Sequence, residues 1–364
     1  MDSMKGVISI TRRQRFRSLV IALMVLVSAA CAGCAGKGSA RDAQASFSEG
    51  EALFKQGDYD RAIACFSKAI ERDPQYGDAY HFRSVAWYVK GDYDRAIDDS
   101  TKVIGLNPQN AEAYCNRGNA YDRKGDYDRA IDDYNKALQI NPFYAPACGN
   151  RGNVLMKKGD CDGAIADLDS AITLNPKYME AYYNRGLAHE NKGSHDNAIA
   201  DFSRAIELNP RFAEAYYNRG IAFEKKGASD KAIADYSKSI EINPRHMESY
   251  HNRGNTYAKK GDQAKAIADF DRSIEINPRQ AKGYFNRGLA FFKKGERDKA
   301  VADYSKAIEL DPAYVNAFKN RAAAYFVLHQ YDKCWDDVHK VEGLGSSMDK
   351  EFMGGLKKAS GREK

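Results

Sequence analysis

A 34-residue spacing fixes what this chain can fold into. Pro74, Pro108, Pro142, Pro176, Pro210, Pro244, Pro278 and Pro312 stand 34 residues apart, and only Pro146 lies outside the series. Gly118, Gly152, Gly186, Gly220, Gly254 and Gly288 keep the same beat, as do Ala62, Ala96, Ala130, Ala164, Ala198, Ala232, Ala266 and Ala300. A fixed period in this range marks units that cannot bury their apolar faces alone and must stack on one another. Length alone would suggest two or three globular domains for 364 residues. The period overrides that expectation in favour of one quasi-linear array behind a short leader.

With the periodic proline at position 32, units begin at Ala43, Gly77, Ala111, Ala145, Met179, Ala213, Met247, Ala281 and Val315. The unit Ala111–Tyr144 shows how each is built. Ala113, Tyr114, Gly118 and Tyr121 recur at three- and four-residue steps, which predicts a helix over Ala111–Lys124. Gly125 supplies a left-handed helix end. Asp126 can cap the next helix, and Asp128 suits its first turn. Ala130, Ile131, Tyr134, Ala137 and Leu138 line one face of that second helix. Asn141 tolerates a left-handed terminus, and Pro142 cannot continue the helix. Gly118, Ala130 and Ala137 are small because two helices cross closely there. Tyr114, Tyr121 and Tyr134 are expected to fill the space between units. The ninth unit has His329 in place of the linker glycine and Cys334 in place of the small alanine. Beyond it, Met348, Phe352, Met353 and Leu356 predict a capping helix over Met348–Lys358, followed by a disordered tail within 347–364.

These residues and spacings resemble the tetratricopeptide repeat over about 43–346. The resemblance implies an all-α, right-handed superhelical solenoid of helix-turn-helix units. First helices would line a concave groove, and the function would be non-catalytic binding of a protein or peptide partner. Asn116, Asn150, Asn184, Asn218, Asn252, Asn286 and Asn320 occupy position six of seven consecutive units, each followed by arginine. In the family, position six faces the groove. An amide there offers a donor and an acceptor to the backbone of an extended peptide. The row is similar to the asparagine ladder of O-linked N-acetylglucosamine transferases, whose catalytic domain has no counterpart here. The alternative is that the amides satisfy neighbouring groups along the stack. Tyr183 and Tyr217, at position five beside His81, His251 and Phe285, are expected to anchor partner side chains. The arginines and the aspartates at position 23 (Asp133, Asp167, Asp201, Asp235, Asp269 and Asp303) are expected to pair and hold helices in register. Chaperone-binding relatives use a two-carboxylate clamp that needs lysines at positions five and two and arginine at six. Here those sites give Lys319 and Lys282 alone, and never arginine, so a chaperone-tail reader is disfavoured.

Formal net charge is +6, of which the first 17 residues carry +4. The remaining surface mixes both signs and is no nucleic-acid footprint. Basic residues Arg12–Arg17, the apolar run Leu19–Ala30 and Cys31-Ala32-Gly33-Cys34 read as an export signal, too short to span a membrane. Small residues before cysteine resemble a bacterial lipoprotein signal, with Cys31 or Cys34 as the lipidated residue. An uncleaved anchor and ordinary cleavage are the other readings of this leader. Alanine after either cysteine resembles outer-membrane sorting, so the expected location is the cell envelope, lipid-anchored and facing the periplasm. Gly36-Lys37-Gly38-Ser39 has no strand before it and reads as part of a flexible tether over 35–42, not a phosphate loop. Cys65, Cys115, Cys148, Cys161 and Cys334 show no C-x-x-C spacing, and the histidines form no H-E-x-x-H set. No metal, cofactor or enzymatic activity is expected. Two alternatives to a scaffold are a substrate-recruiting subunit of a separate envelope enzyme and a self-assembling structural lipoprotein.

Overall fold

Asn-Pro or Asp-Pro between units and a glycine-led turn within most of them set the chain's bends, and helices fill the stretches between. A computed structural model describes residues 37–362. These fall into two compact bodies that divide after Pro176. The first holds four hairpins: α1 (Lys37–Gln56) with α2 (Tyr59–Arg72), α3 (Gly77–Lys90) with α4 (Tyr93–Leu106), α5 (Ala111–Lys124) with α6 (Tyr127–Ile140), and α7 (Ala145–Lys157) with α8 (Cys161–Leu174). The second holds five: α9 (Met179–Asn191) with α10 (His195–Leu208), α11 (Ala213–Lys225) with α12 (Ser229–Ile242), α13 (Met247–Lys259) with α14 (Gln263–Ile276), α15 (Ala281–Lys294) with α16 (Arg297–Leu310), and α17 (Val315–Val327) with α18 (Tyr331–Gly343). A final helix, α19 (Lys350–Ser360), follows. The described residues contain no strand, and the fold class is all-α.

Local chemistry explains the bends. Gly125 closes α5 in the left-handed region at φ 82°, and Asp126 accepts from the Arg129 backbone N–H to cap α6. In the ninth hairpin His329 occupies the linker position at φ 56°, the one non-glycine left-handed residue among those described. At the outer turn Asn141 does not use its left-handed tolerance. It is extended, at φ −132° and ψ 94°. The following proline crowds its backbone out of helical space, and its side-chain Oδ1 accepts from the Phe143 N–H at 3.1 Å. Asn107, Asn209, Asn243 and Asn277 repeat this turn.

The small residues are explained by what faces them. A methyl on Gly118 would sit 2.8 Å from Cε1 of Tyr134, and the same ring-over-glycine contact joins Gly186 to Phe202, Gly220 to Tyr236, Gly254 to Phe270 and Gly288 to Tyr304. Tyr134 is therefore buried inside its own hairpin, not set between units as expected. It still belongs to a core that reaches Ala147 and Val154 of the next repeat, with Tyr114 and Tyr121 at its edge. At the far end Leu356 of α19 is fully buried, and Met348, Phe352 and Met353 pack beside it against Trp335 and Val338. Asp349 caps this helix, and the Trp335 indole N–H donates to Ser360 at 3.1 Å. The last repeat's apolar edge is thereby covered.

The tether expected over 35–42 overlaps α1, which is already helical at Lys37. The leader, with Cys31 and Cys34, lies outside the described residues. Among the described residues no helix is long and apolar enough to cross a membrane.

Candidate functional site

Position seven of every first helix after α1 builds the frame. Arg83, Arg117, Arg151, Arg185, Arg219, Arg253, Arg287 and Arg321 each grip the aspartate 16 residues on with Nε and Nη2, at 2.5–2.9 Å. The aspartates, Asp99 to Asp337, are only 2–8% exposed. Burial alone would disfavour these charges, and two parallel hydrogen bonds to a planar guanidinium compensate for it. Burial still pushes the Asp99 and Asp337 carboxyls above the ordinary carboxylate range. The third arm of the fork, Nη1, donates backwards to the preceding second helix. Its acceptors include Ser67, Thr101, Asn135, Ser203, Ser237, Asp271 and Ser305. One side chain thus joins three helices.

Position six is less uniform. First helices of successive repeats lie side by side within each body. There the amides donate to the preceding first helix. Asn150 Nδ2 reaches Asn119 Oδ1 at 2.8 Å. Asn218 donates to the Tyr183 hydroxyl at 2.9 Å and to the Glu214 carbonyl. Asn252 donates to the Tyr217 hydroxyl at 3.2 Å, and Asn286 to Asn255 Oδ1 at 3.0 Å and to His251 Nε2 at 3.2 Å. Asn116 is the exception, its Nδ2 buried without a partner. The preceding repeat has Val85 where Asn119 and Asn255 accept elsewhere. Asn320 turns back to its own helix, at the Asn316 carbonyl. Asn184 holds the same register in α9. The donor expected to meet a partner's backbone is thus engaged between repeats at Asn150, Asn218, Asn252 and Asn286.

The tyrosines expected as anchors are part of the same stack. Tyr183 is 5% exposed, its ring centroid 4.7 Å from that of Phe212. It cannot offer a free surface while the repeats are packed. Tyr217 lies against Tyr236 and His246, and burial pushes its hydroxyl up to about 12. His246 caps α13 by accepting from the Ser249 N–H at 3.2 Å, a role open only to the neutral ring, and burial lowers its pKa. Burial likewise lowers that of His251.

What stays open on the first-helix face are positions two and thirteen. Glu112, Glu214 and Glu248 at position two, and Lys225, Lys259 and Lys293 at thirteen, reach solvent wholly or in part. Some are tied across repeats: Lys157 to Asp122 at 2.5 and 2.7 Å, and Lys259 to Glu224 at 2.5 Å. The lysines at position fourteen tie instead to the loop side, Lys90 to Asp60, Lys124 to Asp94 and Lys260 to Asp230. Among the described residues no group of three histidine, cysteine or acidic side chains converges to hold a metal ion. Cys65, Cys115, Cys148 and Cys334 are buried thiols, and burial pushes Cys115 up to about 12. Such thiols are poor nucleophiles.

Stacked helical hairpins with an arginine frame and a variable face define an all-α repeat protein of the interaction-scaffold class. Tetratricopeptide repeat models match residues 111–144, 213–246, 281–314 and 47–102, with further matches over 86–125, 152–227, 236–268 and 254–295. The chain belongs to the tetratricopeptide repeat family. Among solved structures, MamA is 34% identical over 45% of this chain and 96% of its own, at a TM-score of 0.43. YrrB, described as a TPR protein with an unusual peptide-binding site, is 30% identical over 52% of this chain and 97% of its own, at 0.43. The C-terminal part of a TPR repeat-containing protein from Cytophaga hutchinsonii shares the fold at 22% identity and a TM-score of 0.51, over 66% of this chain and 98% of its own. No curated protein matches the chain significantly.

Proposed function

We propose that this protein is a non-catalytic scaffold of the bacterial cell envelope, holding an extended or helical segment of a partner protein along its first-helix face. The carrying observation is the division of labour within each repeat. Positions that build the hairpin are nearly invariant along the array, whereas positions two, nine, twelve and thirteen of neighbouring first helices change from repeat to repeat. A face that varies on a constant frame suits side-chain recognition of a polypeptide. The asparagines contribute to that face chiefly as spacers that fix its geometry, with their half-buried amides as its floor. The leader supports lipid attachment at Cys31 or Cys34 and a periplasm-facing outer-membrane location.

Photo-crosslinking residues placed at Glu180, Glu214 and Glu248 should capture a partner in cells, and the same residues at Lys102, Lys136 and Lys340 on second helices should not. Capture from the second helices alone would overturn the first-helix assignment. Labelled palmitate should enter the wild type and be lost from the variant at whichever of Cys31→Ala and Cys34→Ala removes the acceptor.

A further inference from the structure

The two bodies carry opposite charge. Residues 37–176 hold 18 Lys and Arg against 22 Asp and Glu, whereas residues 177–362 hold 32 against 26. The excess in the second body comes with a change on its last first-helices. Within the second body, α9, α11 and α13 each contain an acid, whereas α15 and α17, like α7 in the first body, contain none; α15 and α17 carry Lys282, Lys293, Lys294 and Lys319.

Register explains why these lysines matter. Two other position-thirteen lysines meet an acid at position twelve of the repeat before, Lys157 at Asp122 and Lys259 at Glu224, whereas the Glu190 that Lys225 could meet is bonded to His195. For Lys293 that place is taken by Ala258. Position twelve then continues as Phe292 and Phe326. Position two, glutamate in four earlier repeats, becomes Lys282, which lies close enough to act electrostatically on His251. Position five becomes Lys319. The neighbouring cations are already committed: Arg287 to Asp303 and Asp271, Arg321 to Asp337, Lys306 to Glu309, and Lys294 and Lys299 to Glu296. Among the described residues, Lys282, Lys293 and Lys319 have no acid partner. Three unneutralised ammonium groups thus lie on two adjacent first helices, with aromatic rings beside them.

We propose that α15 and α17 form an acidic-segment subsite, taking a stretch of a partner polypeptide rich in aspartate or glutamate. Its carboxylates pair with Lys282, Lys293 and Lys319, the pairs that the register supplies internally elsewhere. This rests on the scaffold reading above and adds the chemical class of the partner. A nucleic acid is disfavoured because the lysines are interleaved with half-buried amides and aromatics on a chain whose first body is acidic.

The test uses a fluorescein-labelled dodecamer of glutamate and the full chain. Anisotropy should show binding that weakens as sodium chloride rises, because the pairs are exposed. The triple variant Lys282→Glu, Lys293→Glu, Lys319→Glu should bind roughly tenfold more weakly, or worse. A charge-matched control, Lys102→Glu, Lys136→Glu, Lys340→Glu, should keep wild-type affinity, with circular dichroism confirming that both fold. No binding, or equal loss in both variants, overturns the subsite. So does a dodecamer of deoxynucleotides binding as tightly as the glutamate peptide, or sedimentation showing that a second copy occupies the face. Partner crosslinks from Glu214 and Glu248 without glutamate binding would sink this inference and leave the scaffold reading standing.

Discussion

Asparagine and arginine stand side by side in seven repeats, yet their two rows behave differently. The arginine row is uniform: the same fork, the same 16-residue step and the same buried aspartate recur from Arg83 to Arg321. One residue earlier, the asparagines find a tyrosine hydroxyl, another amide, a histidine ring, their own helix or nothing. The arginine's partner lies within the same repeat, where the period fixes it. The asparagine's partner lies 31 or 35 residues earlier, on the face that varies. Regularity therefore marks the frame, and irregularity marks the surface left to function.

Breaking the frame should cost most. Arg219→Ala leaves Asp235 buried without its partner, a loss of about 3–5 kcal/mol. Calorimetry should show a large fall in melting temperature. If partner affinity drops while melting is unchanged, the arginine row belongs to the binding face instead. Gly220→Ala should come next, since its new methyl would meet Tyr236 at 2.7 Å. Overpacking of this kind costs about 1–3 kcal/mol, and Tyr236→Leu in the same chain should recover part of it. Asn218→Ala removes one shared hydrogen bond and should cost about 1 kcal/mol. Asn320→Ala, on the exposed side, should stay within about 0.5 kcal/mol of wild type. Equal effects of the two would erase the distinction drawn within the asparagine row.

The smallest effect is expected from pH. His246 stays neutral in the folded chain because burial lowers its pKa, outweighing the pull of Glu248 and Glu214. The unfolded chain takes up a proton below about 6.5, so stability contributed by the neutral cap is complete above that value. It falls as the pH drops towards the lower folded pKa. His246→Asn keeps a side-chain cap without the titration. Its melting temperature should therefore decline less steeply between about pH 7 and about pH 5. His251 contributes in the same direction and should leave a residual slope.

Much of this was legible in the residues. The period located every hairpin, Gly125 and Asp126 declared their own turn, and the arginines and aspartates announced a pair by keeping one interval. Asn141 misled because side-chain preference points to a left-handed end, whereas the proline after it rules on the backbone. Tyr134 misled because a large ring suggests an interface, and only the geometry shows it lying over Gly118 in its own hairpin. The engagement of the asparagine row was hidden for a different reason. It depends on which side chain the previous repeat presents, so Val85 strands Asn116 while Asn119 serves Asn150. The unpaired lysines of α15 and α17 had a signal in the sequence, two successive acid-free first helices that carry four lysines, but their significance needed the cross-repeat pairs to be seen first.

The backward reach of each arginine has a further consequence for how such a chain can change length. Within each body, every repeat offers a hydroxyl, amide or carboxylate to its successor and a guanidinium to its predecessor. A thirty-four-residue copy spliced between two existing repeats would meet a matching donor on one side and a matching acceptor on the other. For the arginine frame such gain or loss is chemically silent, whereas the asparagine contacts change with the repeats that become neighbours. Lineages could therefore lengthen or shorten the array without redesigning it, and adjust the recognised partner one hairpin at a time.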